Sequence, residues 1–133
     1  MRLGGDTGLP IGVIEQSEAA LTHWRAMLAG DDELVMSTLT ICELLTHYYK
    51  RGKGDTAREL AEQLRLLGNA EFGQVDDRIA ERAAGYRHGL GIPTVDAVIL
   101  STFVERKCAL VVSADRHFEI AADRGVADVE LLT

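Results

Sequence analysis

Four acidic side chains stand where the sequence passes from a strand-like run to a helix-like one: Asp6, Glu43, Asp96 and Asp115. The stretch Pro93 to Leu100 opens a helix that Thr94 can cap, and Val95, Val98, Ile99, Thr102 and Phe103 recur at spacings of three and four that mark its packed side. Ile99, Leu100 and Phe103 lie three, four and seven positions after Asp96 and share its face. A carboxylate beside a core-facing stripe must find partners. The helix N-terminus stabilises it by about 0.3–1 kcal/mol, less than burial costs, so a cation, a cap or a water network has to supply the rest. Asp115 follows Cys108 to Val112, a run apolar enough for a strand covered on both faces, and so lies at that strand's carboxyl end. In open parallel α/β sheets ligands bind at that end.

Asp6 closes the first short strand, and Glu43 rides near the start of the helix that follows Leu34-Val35-Met36. Right-handed crossovers put every strand-to-helix turn on one side of a parallel sheet, which brings all four acids to one rim. Four gathered carboxylates cannot all stay ionised without a cation, and oxygen-only ligation suits Mg²⁺ or Mn²⁺. Such an ion can bridge a phosphodiester oxygen and acidify an attacking water. Each acid also has an ordinary reading: Asp6 as a turn former before Thr7-Gly8, Glu43 as a solvated helix residue, Asp96 as a first-turn acid answering the helix dipole, Asp115 as an N-cap. The hydroxyls of Thr7 and Ser113 can orient neighbouring carboxylates or satisfy local backbone groups. Arg116 can contact a scissile phosphate or form a surface ion pair. His23, His47, His88 and His117 show no metal-ligand spacing. Tyr48-Tyr49-Lys50-Arg51-Gly52-Lys53 mixes rings with cations as a nucleic-acid track would, but Tyr48 belongs to a core stripe and cations suit a helix C-terminus.

The elements that position these residues alternate. A strand over Met1–Asp6 is weakened by Gly4-Gly5, an apolar segment covers Leu9–Ile14, and Ser17 caps a helix with the stripe Ala20, Leu21, Trp24, Met27 and Leu28. After Leu34-Val35-Met36, Thr38 or Thr40 caps a helix with Ile41, Leu44, Leu45 and Tyr48 inward, which stops at Gly52-Lys53-Gly54. Asp55 caps the next helix, Ala70–Val75 reads as an edge strand, and Asp76 begins a helix ending at Gly89-Leu90-Gly91. A short helix over Phe118–Arg124 and a strand at Val129–Leu132 complete the pattern of a three-layer, single-domain α/β fold with a parallel sheet.

A chain of 133 residues suffices for one domain with a real core, and no second domain or repeat is visible. No apolar run reaches eighteen residues and the N-terminus lacks an export-signal pattern, so a cytoplasmic protein without a membrane anchor is expected. Cys42 and Cys108 sit in apolar patterns and read as small buried residues, not as a disulfide. The net charge of −7 argues against a broad basic nucleic-acid surface, though not against acids gathered around a divalent cation.

Asp6-Thr7 after a short strand, Ser37-Thr38-Leu39-Thr40-Ile41-Cys42-Glu43-Leu44, Asp96-Ala97-Val98-Ile99-Leu100 and Ser113-Ala114-Asp115-Arg116-His117-Phe118 resemble, in order, the successive motifs of PIN-domain ribonucleases, in particular the VapC-type toxins of toxin–antitoxin pairs. The resemblance spans almost the whole chain. It implies one PIN-like α/β/α nuclease domain over residues 1–133 with a parallel five-stranded sheet. It further implies Mg²⁺- or Mn²⁺-dependent endonucleolytic cleavage of RNA, with Asp6, Glu43, Asp96 and Asp115 as the acidic cluster. Homodimerisation, and inhibition by a small cognate antitoxin inserted into the site, are implied as well. The chain departs from the family's pattern at Gly4-Gly5, at Gly8, at Ser113 in place of threonine, and at His117 where a further acid sometimes stands. Two rivals stay open: a PIN-like protein-interaction module with little catalysis, and an RNA-processing or DNA nuclease without an antitoxin.

Overall fold

The computed structural model describes residues 1–132. Five strands, β1 (Arg2–Gly5), β2 (Glu33–Ser37), β3 (Ala70–Gly73), β4 (Leu110–Ser113) and β5 (Val129–Leu131), form one sheet in the order β3-β2-β1-β4-β5. Every neighbouring pair is parallel; Gly4 sits opposite Val35 on one side and Val111 on the other. The helices are α1 (Gly8–Ile14), α2 (Glu18–Leu28), α3 (Thr38–Tyr49), α4 (Gly54–Leu66), α5 (Asp77–Leu90), α6 (Thr94–Glu105) and α7 (Glu119–Asp123), the last entered through a 3-10 turn at Arg116–Phe118. The single-domain three-layer α/β architecture expected from the alternation is the one observed. Among the described residues no helix is long and apolar enough to cross a membrane.

From the central β1 the chain moves outward through β2 to β3, then returns to the other side of β1 for β4 and β5. The strand order reverses between β1 and β4, and a crevice opens outside their carboxyl ends. Each face of the sheet has its own core, as the two-residue period of strands requires. Leu3, Leu34, Met36 and Val112 pack with Leu9, Met27, Leu44 and Leu60 on one face, while Val35 and Val111 pack with Ile99, Leu100, Phe103 and Phe118 on the other.

The glycines that weaken β1 as a sequence pattern have a steric reason. A Cβ on Gly4 would lie 2.5 Å from Cγ of Phe103, and one on Gly5 would lie 2.7 Å from Cδ2 of Leu9. Bare backbone lets α6 and α1 settle directly on the central strand from opposite faces.

Several boundaries differ from expectation. Ser37, not Thr38 or Thr40, caps α3: its hydroxyl accepts from Leu39 N–H at 3.1 Å. Pro93 holds the cap position of α6, with Thr94 the first helical residue. Asp55 lies inside the first turn of α4, with its carboxylate on Arg58 at 2.6 Å. Ser17 makes no side-chain cap bond, and the Leu9–Ile14 segment is helical. Val95 and Leu28 are exposed, because the faces of α6 and α2 are set by the layers they meet. Cys42 is also exposed, since α3 turns Thr40, Leu44 and Tyr48 inward and a residue two positions from the first two points away; Cys108 is half-buried.

Candidate metal centre

Asp6 leaves β1 at the reversal point, where its N–H donates to Val112 O at 3.0 Å and extends the pairing of β1 with β4 by one residue. That holds its carboxylate inside the crevice, 5% exposed. One oxygen accepts from Thr7 N–H at 2.7 Å and the other from the Ser113 hydroxyl at 2.8 Å. Burial pushes the carboxyl up to about 6 against these two bonds, and the charges of Glu43 and Asp96 push the same way. Ser113 has a second duty: its Oγ accepts from Asp115 N–H at 2.9 Å, so one hydroxyl ties Asp6 to the loop carrying Asp115.

Glu43 reaches the crevice from the second turn of α3, where the Thr7 hydroxyl donates to its Oε1 at 2.6 Å. Asp96 is in the first turn of α6 on the face shared with Ile99, Leu100 and Phe103, and is itself buried. Burial raises its carboxyl, the charge of Asp115 adds to this, and His117 opposes it. Asp6, Glu43, Asp96 and Asp115 thus line one cavity of about 390 Å³, together with Thr7 and Arg116. Gly8 lets the walls close: a Cβ there would lie 2.5 Å from Cβ of Ala114. Arg116 is 82% exposed at the rim and sits 3.5 Å from Glu119.

His117, marked in the sequence only as a histidine where a further acid sometimes stands, meets two of these acids. Its Nδ1 lies 2.9 Å from Oδ2 of Asp96 and 3.1 Å from Oδ1 of Asp115. The hydrogen bond to Asp96, followed by the charge of Asp115, raises the imidazole. Asp96 is 21 positions away, so no local spacing announces the pair, and the nearness to Asp115 depends on the 3-10 turn between them. One donor atom each from Asp96, Asp115 and His117 lie within 4.8 Å of one another. Such a group fits one divalent cation, whose opposite ligands stand about 4.2 Å apart for bonds of about 2.1 Å. Asp6 and Glu43 line the same cavity outside this tight group.

Glu43 also borders a neighbouring cavity lined by Cys42, Thr46, His47, Lys50 and Arg51. The Arg51 guanidinium donates to the carbonyl of His47 at 2.8 Å, a helix-terminal contact, and Tyr48 is buried in the core.

A family model described as PIN domain matches residues 6–124. No curated protein sequence matches significantly. Among solved structures, a chain of VapBC2 from Rickettsia felis, bound to a DNA fragment from their promoter, superposes with a TM-score of 0.75 at 15% identity, covering 100% of both chains. A chain of a toxin–antitoxin complex from Klebsiella pneumoniae gives 0.70 at 17%, covering 98% of each. DNA-bound VapBC from Salmonella typhimurium gives 0.72 at 18%, covering 100% of this chain and 99% of that one. At these identities the likeness is one of fold.

Proposed function

This chain belongs to the PIN-domain family, and on that premise we propose that it is a divalent-metal-dependent endoribonuclease acting as the toxin of a toxin–antitoxin pair. The observation that carries the reading is the delivery of Asp6, Glu43, Asp96 and Asp115 from four separate segments to one cavity at the topological switch point. The toxin role draws support from the fold shared, along nearly the whole chain, with a member of the Klebsiella pneumoniae toxin–antitoxin complex.

Asp96 and Asp115 would hold Mg²⁺ or Mn²⁺ directly, with Asp6 and Glu43 reaching it directly or through water. When bound, the ion supplies Lewis acidity toward a phosphodiester oxygen and lowers the pKa of an attacking water. The remaining work belongs to the chain. Thr7 fixes one oxygen of Glu43 and turns the carboxylate toward the cavity, where it can orient the incoming water. Ser113 holds Asp6 and the backbone of Asp115 in a fixed relation, so two walls of the site move as one. Arg116, exposed at the rim, is placed to meet an incoming phosphate.

Incubating a tRNA and rRNA mixture with Mg²⁺ or Mn²⁺ and wild type, Asp6→Asn or Asp96→Asn tests the assignment. Cleavage by wild type alone is expected, and equal activity in all three overturns it. Single- and double-stranded DNA run alongside would reveal a different substrate. The antitoxin half of the reading predicts that the product of a short reading frame beside this gene copurifies with the chain and suppresses cleavage. Homodimerisation is checked by light scattering.

A further inference from the structure

We propose that His117 is a nitrogen ligand of this centre and biases it toward first-row transition ions over Mg²⁺. The inference rests on the metal-dependent reading above and adds to it the identity of one donor and its consequence for metal choice.

Adjacent ligands of an octahedral ion with bonds of about 2.1 Å stand about 3.0 Å apart. The Nδ1 atom of His117 stands 2.9 Å from the Asp96 oxygen and 3.1 Å from the Asp115 oxygen, so both distances are those of neighbouring ligands. Burial does not put the ring there, for the side chain is 57% exposed. Its backbone does. The His117 N–H donates to Asp115 Oδ1 at 2.9 Å, starting the 3-10 turn, and fully buried Phe118 anchors the turn's end. A solvent-facing imidazole is thereby carried over two carboxylates from different elements. Asp115 is used twice, as the group that shapes the turn and as a donor beside the ring.

Mg²⁺ takes oxygen ligands and gives up water reluctantly, whereas imidazole binds increasingly well along the series from Mn²⁺ to Cu²⁺. An all-oxygen rim would leave Mg²⁺ and Mn²⁺ closely matched; one nitrogen tilts the choice. Mn²⁺ is the weakest binder of that series, so it gives the most demanding test.

The experiment measures Mn²⁺ and Mg²⁺ binding by calorimetry for wild type, His117→Asp, His117→Ala and Asp96→Asn, with pulsed electron paramagnetic resonance of bound Mn²⁺ as a readout independent of activity. Wild type is expected to bind Mn²⁺ at least tenfold more tightly than Mg²⁺ and to show nitrogen coupling from a directly bound imidazole. His117→Asp should keep Mg²⁺ binding, shrink the Mn²⁺ preference about tenfold and lose the coupling; His117→Ala should lose the coupling too. Asp96→Asn should lose Mn²⁺ binding. Circular dichroism checks that each variant folds, and the wild-type spectrum decides the matter even if one does not. Mn²⁺ bound through Asp96 without nitrogen coupling, or an unchanged preference in folded His117→Asp, overturns the role of His117 and leaves the nuclease reading standing. No Mn²⁺ binding by wild type overturns both.

Discussion

The two ends of the sheet treat their acids in opposite ways. At the amino end Arg2 pairs with Glu33 at 3.0 Å, the terminal ammonium with Asp32 at 3.0 Å, and Arg106 lies 3.6 Å from Glu71. At the carboxyl end Asp6 is held by a backbone N–H and a hydroxyl, Glu43 by a hydroxyl, and Asp96 and Asp115 share one imidazole. Arg116, the cation nearest in sequence, leans on Glu119. One end is neutralised with fixed charges, while the other has its carboxylates positioned by a backbone N–H, two hydroxyls and one imidazole, with no Lys or Arg paired to them among the described residues. Burial, with neighbouring carboxylate charge, raises the Asp6 and Asp96 carboxyls, and holding them ionised costs the folded chain stability that a bound cation would restore. The difference separates acids that serve solubility and register from acids kept in readiness.

Activity offers the largest way to break this contrast. Asp96→Asn should lower RNA cleavage by about two orders of magnitude or more, the scale of several kcal/mol that metal catalysis supplies, while Arg2→Ala at the other end should leave it unchanged. A gel-based cleavage assay measures both.

Stability against pH comes next. The Asp6 carboxyl is raised on folding from 3.8 to about 6, so the folded state holds its proton more tightly than the unfolded chain does. The stabilisation from that proton is complete below 3.8 and is lost as pH rises through about 6. Asp96 and His117 are also raised and act in the same sense. The metal-free protein should therefore lose stability between pH 4 and pH 7 from the two carboxyls, by at most about 3 kcal/mol for Asp6, and from His117 only as pH rises above 6.5. Asp6→Asn should flatten the profile and stabilise the metal-free protein at pH 7, and saturating Mn²⁺ should oppose the loss in wild type. Calorimetric scans across that range decide it.

Glycines give a finer comparison. Gly8→Ala at the acid rim would press on Ala114 and should cost about 1–3 kcal/mol, with weaker Mn²⁺ binding. Gly68→Ala beside Arg2 and Glu33 meets nothing within 4 Å and should change stability little. Denaturant titration distinguishes them. The smallest effect is expected from Arg2→Ala, whose exposed ion pair should yield only a slight, salt-sensitive shift in melting temperature.

What the sequence made legible was whatever its neighbours determine. The burial of Asp96 follows from Ile99, Leu100 and Phe103 on its own helix, and the covered strand before Asp115 follows from Val111 and Val112. What it hid depends on distant partners. Gly4 looks like a flaw in β1 until Phe103 is seen against it, and His117 looks idle until Asp96 meets its ring. The caps stand earlier than expected, at Ser37 and not Thr38 or Thr40, and at Pro93 and not Thr94, because several small or polar residues stand together there and only backbone direction chooses among them. The exposure of Cys42 likewise depends on which face of α3 the sheet accepts.

The pairing of β1 with β4 also has a consequence for biosynthesis. The Ser113–Asp6 hydrogen bond joins residues 107 positions apart, so β1, which can pair with β2 early, gains its second neighbour only after 107 further residues have been made. A nascent chain stopped before Ser113 has neither the second wall nor the last acid. Such a fragment would carry Asp6 without the hydroxyl that positions its carboxylate, so the crevice forms only once both walls have been made.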